Sequence, residues 1–152
     1  MKVLDFLDPN SVVIDLKSVT KQDVVSELCK TLQVSGQIKD VDVVIEALMQ
    51  REKLGSTGIG QGVAIPHGKS NSAEKLIGAL GISKKGVNFE ALDGEPVHVI
   101  FLLVAPPDSA GPHLKALARI SRLLKDKFFR QSLKEAKSVD EIKKIIQEED
   151  EY

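Results

Sequence analysis

The chain has 152 residues, a formal net charge of −1 at pH 7, 42% hydrophobic residues and 4% aromatic residues. This length predicts a single domain over residues 1–152, with enough apolar residues for one buried core. Acidic and basic residues are interspersed and aromatic residues are few, so the chain lacks the basic stripe and the stacking platform of nucleic-acid-binding proteins. We therefore expect no nucleic-acid partner.

The sequence also predicts a free-standing cytoplasmic protein without direct membrane insertion. Acidic residues interrupt the apolar run of residues 1–8, which is unlike a signal peptide. The longest apolar run, Val99 to Ala105, is far shorter than the ~20 residues of a membrane-spanning helix. The single cysteine, Cys29, cannot form an internal disulfide, which agrees with a reducing compartment.

The first third of the chain is predicted to form one strand and two helices. Val12 to Leu16 is rich in β-branched residues and is typical of a strand. A helix capped by Thr20 follows and ends at Gly36, with Cys29 on its apolar face as a buried, inert thiol. A second helix runs from about Asp40 to Gly55.

The rest of the chain is predicted to form three strands and then three helices. The strands are expected at residues 62–65, 76–83 and 97–104, and the helices at residues 113–125, 128–136 and 139–147. Ser138 should cap the last helix, and the acidic tail of residues 148–151 should be a frayed, solvated end. The third of these strands is apolar on both faces, as in a central strand covered by helices on both sides. The order β-α-α-β-β-β-α-α-α predicts an α/β three-layer sandwich, a sheet flanked by helices.

A glycine-rich segment around His67 carries the clearest functional signal. It reads Gly-Ile-Gly-Gln-Gly-Val-Ala-Ile-Pro-His-Gly from position 58 to 68, which predicts a histidine on a glycine-rich loop after a short strand. Pro66 should restrain the backbone before the ring, and Gly68 should leave the approach to the ring open for a partner. A neutral imidazole has a free lone pair near pH 7, so His67 is a candidate phosphoryl acceptor. The alternative is a turn histidine without a role.

Arg51 is the second candidate site residue. Val44, Leu48 and Arg51 are spaced i, i+4 and i+7, so the apolar stripe of the second helix ends in a guanidinium. That group can hold a phosphate with two parallel hydrogen bonds. The alternative is a surface arginine that complements the carboxyl end of its own helix.

His113 is the third candidate. It follows Pro112, which favours the first turn of a helix, and it heads an apolar stripe that should turn its ring toward the protein. A neutral imidazole there can donate a hydrogen bond to a phosphoryl oxygen on His67. The alternative is a capping or core histidine. His98 interrupts a predicted strand, and we interpret it as a structural histidine.

Neither a cofactor nor a metal is predicted. Gly68-Lys69-Ser70 ends like a nucleotide-binding loop, but Val63 stands where both that loop and the dinucleotide fingerprint require a glycine. Three histidines and one cysteine have no metal-ligand spacing.

These segments together resemble the enzyme IIA domains of the bacterial phosphoenolpyruvate-dependent phosphotransferase system, in the type 2 fructose/mannitol/nitrogen-regulatory family. The family pattern begins with an acidic or amide residue, here Glu52, and ends in Ala64-Ile65-Pro66-His67-Gly68. The segments Asp93-Gly94-Glu95-Pro96 and Gly111-Pro112-His113-Leu114 extend the resemblance over nearly the whole chain. It implies a mixed sheet and a phosphotransferase with a phosphohistidine intermediate at His67, stabilised by Arg51 and His113.

The resemblance also implies partners. An HPr-type phosphocarrier would supply the phosphoryl group, and an enzyme IIB or a regulatory target protein would respond to it. We expect nitrogen-type regulatory output, because the sequence carries no attached membrane or cysteine domain. The alternative is a sugar-specific, fructose/mannitol-type IIA that passes phosphate to an enzyme IIB cysteine during sugar uptake. A purely structural relative, like the cytosolic domains of anion exchangers, is disfavoured by the intact His67 motif.

Overall fold

The computed structural model describes residues 1–151, which form six strands, five α-helices and a short 3-10 helix at Val3–Asp5. The strands are β1 (Leu7–Val13), β2 (Gly58–Gly60), β3 (Val63–Ala64), β4 (His67–Lys69), β5 (Ile77–Val87) and β6 (Val97–Ala105). The helices are α1 (Lys21–Val34), α2 (Val41–Lys53), α3 (Ala110–Leu124), α4 (Lys127–Glu135) and α5 (Val139–Glu149). Among residues 1–151, no helix is long and apolar enough to cross a membrane.

The strands form one mixed sheet in the order β1-β5-β6-β3-β2, with β4 also paired to β6. β6 is antiparallel to β5 and parallel to β3 and β4, and β1 is parallel to β5. Mixed pairing, which the family resemblance implied, is confirmed.

Helices cover both faces of the sheet, so the predicted three-layer sandwich is confirmed. Alternate residues of β6 pack into two separate apolar clusters, with Phe101 and Leu103 facing α3, α4 and α5, and Ile100 and Leu102 facing α1 and α2. Within β6 only His98 is not fully buried, which agrees with a central strand.

Local capping agrees with the sequence at two helix starts and differs at a third. The Thr20 and Ser138 hydroxyls accept from the backbone N–H groups of Asp23 and Glu141, as expected of N-caps. α3 begins at Ala110 rather than at His113, so His113 ends the first turn of the helix. Pro112 is tolerated there because a first-turn residue needs no N–H donor within the helix.

Two strand predictions were incomplete. β1 lies at Leu7–Val13 rather than at residues 12–16. It is an edge strand, where Pro9 is tolerated although it has no backbone N–H to donate to a neighbouring strand. Its exposed polar residues hide the apolar alternation that identifies a strand. Three strands were expected between α2 and α3, but five are present, because β2 and β4 have only three residues each.

The expectation of a frayed carboxyl end was wrong. α5 continues to Glu149, and Asp150 is only 3% exposed. Its carboxylate accepts from the Val3 backbone N–H at 2.6 Å and from Arg119 Nε at 2.6 Å. The carboxyl end is therefore fastened to the amino end and to α3.

Candidate active site

His67 is the first residue of β4, not a loop residue as expected, and lies opposite Leu103 of β6. Strand alternation turns His67 and Gly68 toward opposite faces of the sheet. His67 faces α3, whereas a Cβ built on Gly68 would lie 3.4 Å from Leu48 Cδ2 in α2. The interpretation that Gly68 keeps the approach to the ring open was wrong, because its missing side chain instead lets α2 pack closely on β4.

The ring of His67 is half-buried and held in one tautomer. Its Nδ1 lies 2.7 Å from the carbonyl oxygen of Ile65. A carbonyl only accepts hydrogen bonds, so Nδ1 carries the proton and Nε2 keeps its lone pair. Nε2 is therefore the nucleophilic atom of this ring.

His113 lies beside His67, as the sequence predicted. The ring centroids are 5.6 Å apart and the planes meet at 73°, an edge-to-face arrangement. His113 is only 6% exposed, and its Nε2 has no hydrogen-bond partner among residues 1–151. Burial, followed by electrostatic repulsion from the neighbouring His67 and Lys69 side chains, lowers the pKa of His113, which keeps its ring neutral near pH 7.

Arg51 lies near the same site but contacts its own helix end. It is half-buried, and its Nη1 donates to the carbonyl oxygen of Gly55 at 2.9 Å. This contact matches the alternative in which the arginine complements the carboxyl end of α2. Arg51 is one turn, about 6 Å, beyond Ala47, whose backbone adjoins Gly68. Within the described residues, the guanidinium forms no hydrogen bond to His67.

A buried carboxylate lies behind the site, and sequence reasoning assigned Glu52 no role beyond its place in the family pattern. Glu52 accepts from the backbone N–H of Thr57 at 3.1 Å and from the Thr57 hydroxyl, and it forms a 3.1 Å ion pair with Lys21. The buried stripe of α2 continues from Val44 and Leu48 to Glu52 rather than to Arg51, and this i, i+4, i+8 spacing is the signal that could have drawn attention to it.

The turn between β2 and β3 is held by Asp93. Gly60, Gln61 and Gly62 all have positive φ, and Asp93 Oδ2 accepts from the Gln61 N–H at 3.1 Å. Backbone N–H groups of Glu95 and Gln61 lower the pKa of Asp93, so its carboxylate stays ionised. This explains why the segment beginning at Asp93 accompanies the His67 segment in the sequence.

The remaining candidate groups are structural. His98 Nδ1 bonds to the Ser83 carbonyl oxygen at 2.8 Å, in line with its interpretation as a structural histidine. Cys29 is buried, and burial raises the pKa of its thiol to about 12, so the prediction of an inert thiol is confirmed. Residues 1–151 contain no cluster of three histidine, cysteine or carboxylate side chains that could hold a metal ion.

Comparison with known proteins shows one family. Residues 5–149 match the family described as "Phosphoenolpyruvate-dependent sugar phosphotransferase system, EIIA 2". A nitrogen regulatory protein of Bradyrhizobium diazoefficiens is 40% identical over 147 residues, which are 96% of this chain and 95% of that protein.

Two further similarities extend this result. The fructose-specific EIIABC component of Bacillus subtilis is 39% identical over 99% of this chain, but the chain spans only 24% of that longer protein. The crystal structure of the nitrogen regulatory protein IIA-Ntr from Neisseria meningitidis superposes with a TM-score of 0.86 at 36% identity, covering 93% of this chain and 97% of that one.

Proposed function

Because this chain belongs to the EIIA 2 family of the phosphoenolpyruvate-dependent phosphotransferase system, and is therefore a phosphoryl-transfer carrier, we propose that His67 is its phosphoryl acceptor and Nε2 the accepting atom. The observation that carries the proposal is the bond from Nδ1 to the Ile65 carbonyl oxygen, since it leaves Nε2 unprotonated. The donor is the phosphohistidine of an HPr-type carrier protein.

The transfer is a single displacement at phosphorus. The Nε2 lone pair forms the new P–N bond while the bond from phosphorus to the donor nitrogen breaks, and its electron pair returns to the donor imidazole. The His67 ring gains positive charge as it is phosphorylated. Its Nδ1–H bond to Ile65 then becomes charge-assisted and stronger, which favours the transition state and the phosphorylated product over the free ring.

His113 stabilises the transferring group. An unpartnered nitrogen that is 94% buried next to the acceptor ring has its hydrogen-bonding capacity unused in the free protein. A phosphoryl oxygen on His67 satisfies it, with His113 Nε2–H as donor. Because His113 is fixed within the first turn of α3, no reorganisation is required at the moment of transfer.

Arg51 is proposed to assist from the other side of the sheet. In the free protein its guanidinium holds the Gly55 carbonyl, a neutral acceptor. A phosphoryl group carries about −1.5 to −2 charges at pH 7 and is a stronger acceptor than a carbonyl. We expect the guanidinium to exchange Gly55 for the phosphoryl group on phosphorylation.

The partner is proposed to dock by apolar contacts around His67. Leu114, directly after His113, is 68% exposed, and Ile59 in β2 is 53% exposed. Leu92, whose N–H bonds to the Gly58 carbonyl beside Ile59, is 75% exposed. Large apolar side chains exposed around a reactive group are typical of a protein-binding surface.

Downstream, we favour nitrogen-type regulatory signalling. The support is the likeness to the nitrogen regulatory protein of Neisseria meningitidis, at 36% identity and a TM-score of 0.86. A sugar-specific IIA that passes phosphate to an enzyme IIB cysteine is the second candidate, because the fructose-specific component of Bacillus subtilis is 39% identical over nearly the whole chain.

The acceptor is tested by incubating the protein with phosphoenolpyruvate, enzyme I and an HPr-type carrier, without ATP. We expect one acid-labile, base-stable phosphate on His67, with NMR placing it on Nε2 and His67→Ala abolishing it. Label on His113 or His98, or unchanged labelling of His67→Ala, contradicts the proposal.

The output is tested by mixing the phosphorylated protein with fructose- and mannitol-type enzyme IIB. A regulatory protein should retain its phosphate. Rapid, stoichiometric transfer to an enzyme IIB cysteine, followed by the appearance of sugar phosphate, would show a transport component instead.

A further inference from the structure

The buried carboxylate of Glu52 accepts two hydrogen bonds from a single residue, Thr57. Its two oxygens accept the Thr57 backbone N–H and the Thr57 hydroxyl, and Thr57 is itself only 4% exposed. Because both donors belong to Thr57, rotation of that residue would break both hydrogen bonds. Glutamine at this position could keep both contacts, because its amide oxygen accepts the Thr57 N–H and its amide nitrogen donates to the Thr57 hydroxyl oxygen, whereas alanine removes both. The side chain of Glu52 therefore fixes the orientation of Thr57.

Thr57 in turn fixes the residue that holds the His67 ring. Its carbonyl oxygen accepts from the Ile65 backbone N–H at 3.1 Å, and the Ile65 carbonyl oxygen accepts from His67 Nδ1 at 2.7 Å. A continuous line of hydrogen bonds therefore runs from Glu52 through Thr57 and Ile65 to the ring. Each hydrogen bond involves a different peptide group. A displacement of Thr57 would therefore displace Ile65, and with it the acceptor of the His67 ring.

The segment that carries Thr57 and Ile65 is also held by the sheet. β3 pairs with β6, β4 pairs with β6 from His67 onward, and the Leu103 N–H donates to the Pro66 carbonyl oxygen. β2 and β3 are short, and their ladder contains a register shift between Gly58 and Gly60. The Thr57 N–H and hydroxyl themselves are held by the Glu52 carboxylate at the end of α2.

Lys21 pairs with the Glu52 carboxylate in the interior. It is the first residue of α1, and its Nζ lies 3.1 Å from Glu52, 3.8 Å from Glu90 and 5.2 Å from the centre of the Phe89 ring. An isolated buried charge is strongly unfavourable unless it is paired and hydrogen-bonded. With Lys21 and the two Thr57 donors, the Glu52 carboxylate has both.

We propose that Glu52 is a positioning residue for phosphoryl transfer: through Thr57 and Ile65 it holds His67 with Nδ1 protonated and Nε2 free. The proposal rests on His67 being the phosphoryl acceptor. Its predicted consequence for the ring tautomer does not depend on any phosphorylation.

The test compares Glu52→Ala, Thr57→Val and Thr57→Ser in the full chain. Proton–nitrogen NMR of the imidazole ring reports which nitrogen carries the proton. The wild type should show His67 in one tautomer, whereas Glu52→Ala and Thr57→Val should show a mixture of both. Their kcat for phosphorylation by the carrier should fall about 10- to 100-fold, the scale of a small misplacement of a reacting group, with KM unchanged because the surface is untouched. Thr57→Ser retains the hydroxyl and should behave like the wild type.

Asp150→Asn is the matched control. Asp150 is as buried as Glu52 and likewise accepts a backbone N–H and pairs with a cation, but it joins the chain ends. This variant should lose stability while keeping the wild-type His67 spectrum and kcat.

Two outcomes overturn the proposal. One is a single tautomer with wild-type kcat in both Glu52→Ala and Thr57→Val. The other is an equal loss of kcat in Asp150→Asn at a matched drop in Tm, which would reduce Glu52 to a general stabiliser. If instead the wild type takes no phosphate on His67, the acceptor assignment fails, and the tautomer spectra still decide the role of Glu52.

Discussion

Replacing His113 with leucine should make the unphosphorylated protein more stable and its phosphorylation slower. The imidazole is 6% exposed and its Nε2 has no partner in the described residues. An unsatisfied buried polar group costs about 1–3 kcal/mol. Leucine has a similar size and no polar atom, and at this position it continues the apolar stripe toward Ile120. We expect the free energy of unfolding to rise by about 1–2 kcal/mol.

The same replacement removes the proposed donor to the phosphoryl group. Loss of one preorganised donor should slow transfer by about 10- to 1,000-fold. Urea unfolding at pH 7.5 measures the stability, and rapid-quench transfer from a phosphorylated HPr-type carrier measures the rate. A gain in stability together with a loss of rate would show that the unpartnered nitrogen is kept for function.

His98→Leu is the matched control for that experiment. His98 Nδ1 donates to the Ser83 carbonyl, so this replacement removes a hydrogen bond and should cost about 1 kcal/mol without changing the transfer rate. The reasoning fails if His113→Leu is destabilised like His98→Leu, or if it is phosphorylated at the wild-type rate.

Three further outcomes are expected. Arg51→Ala should slow transfer by about 10- to 1,000-fold, and Arg51→Lys should restore only part of the rate, because an ammonium cannot form two parallel bonds to phosphate; steady-state transfer assays measure both. Asp150→Asn should lower the free energy of unfolding by about 1–3 kcal/mol in urea titration, because the replacement removes the buried negative charge that accepts from Val3 and pairs with Arg119. Since the pKa of His113 is lowered in the folded state, the unfolded chain binds a proton that the folded protein excludes once the pH falls below about 6.5. Stability should therefore decrease from about pH 6.5 down to the folded-state pKa of His113, and urea titrations across that range should show a smaller decrease in His113→Leu.

Long elements were predictable from the sequence because their signals are local. The apolar spacing and the caps at Thr20 and Ser138 identify α1 and α5 within a few residues. The continuous apolar run of β6 indicates a strand covered on both faces, and the structure confirms it. β2 and β4 were missed because three residues are too few for periodicity, and they exist only through pairing with distant strands.

The parts of the site whose chemistry depends on residue type were predictable from the sequence. The parts that depend on how backbone groups are arranged in space were not. His67 and His113 were identified from their surroundings in sequence, and the structure brings their rings to 5.6 Å. The tautomer of His67 depends on the Ile65 carbonyl, and every residue type has a carbonyl. Likewise, Glu52 and Thr57 meet only because α2 ends where the glycine-rich segment begins. Contacts of this kind to backbone groups cannot be predicted from the composition or from the spacing of residue types.

The arrangement of the site explains why transport and regulation are hard to separate within this family. His113 approaches His67 from the α3 face of the sheet, whereas Arg51 lies at the end of α2 on the other face. On the proposed assignment, phosphate on His67 would add about −1.5 to −2 charges at this ring, next to the exposed Leu114 that follows His113. A partner that docks there on the dephosphorylated protein would meet a new negative charge on the phosphorylated one. We expect an enzyme IIB and a regulatory target to approach the same His67 ring, so the proposed acceptor chemistry does not distinguish them. The difference must lie in whether the partner offers a thiolate in line with the P–N bond, which makes the destination of the phosphate the decisive measurement.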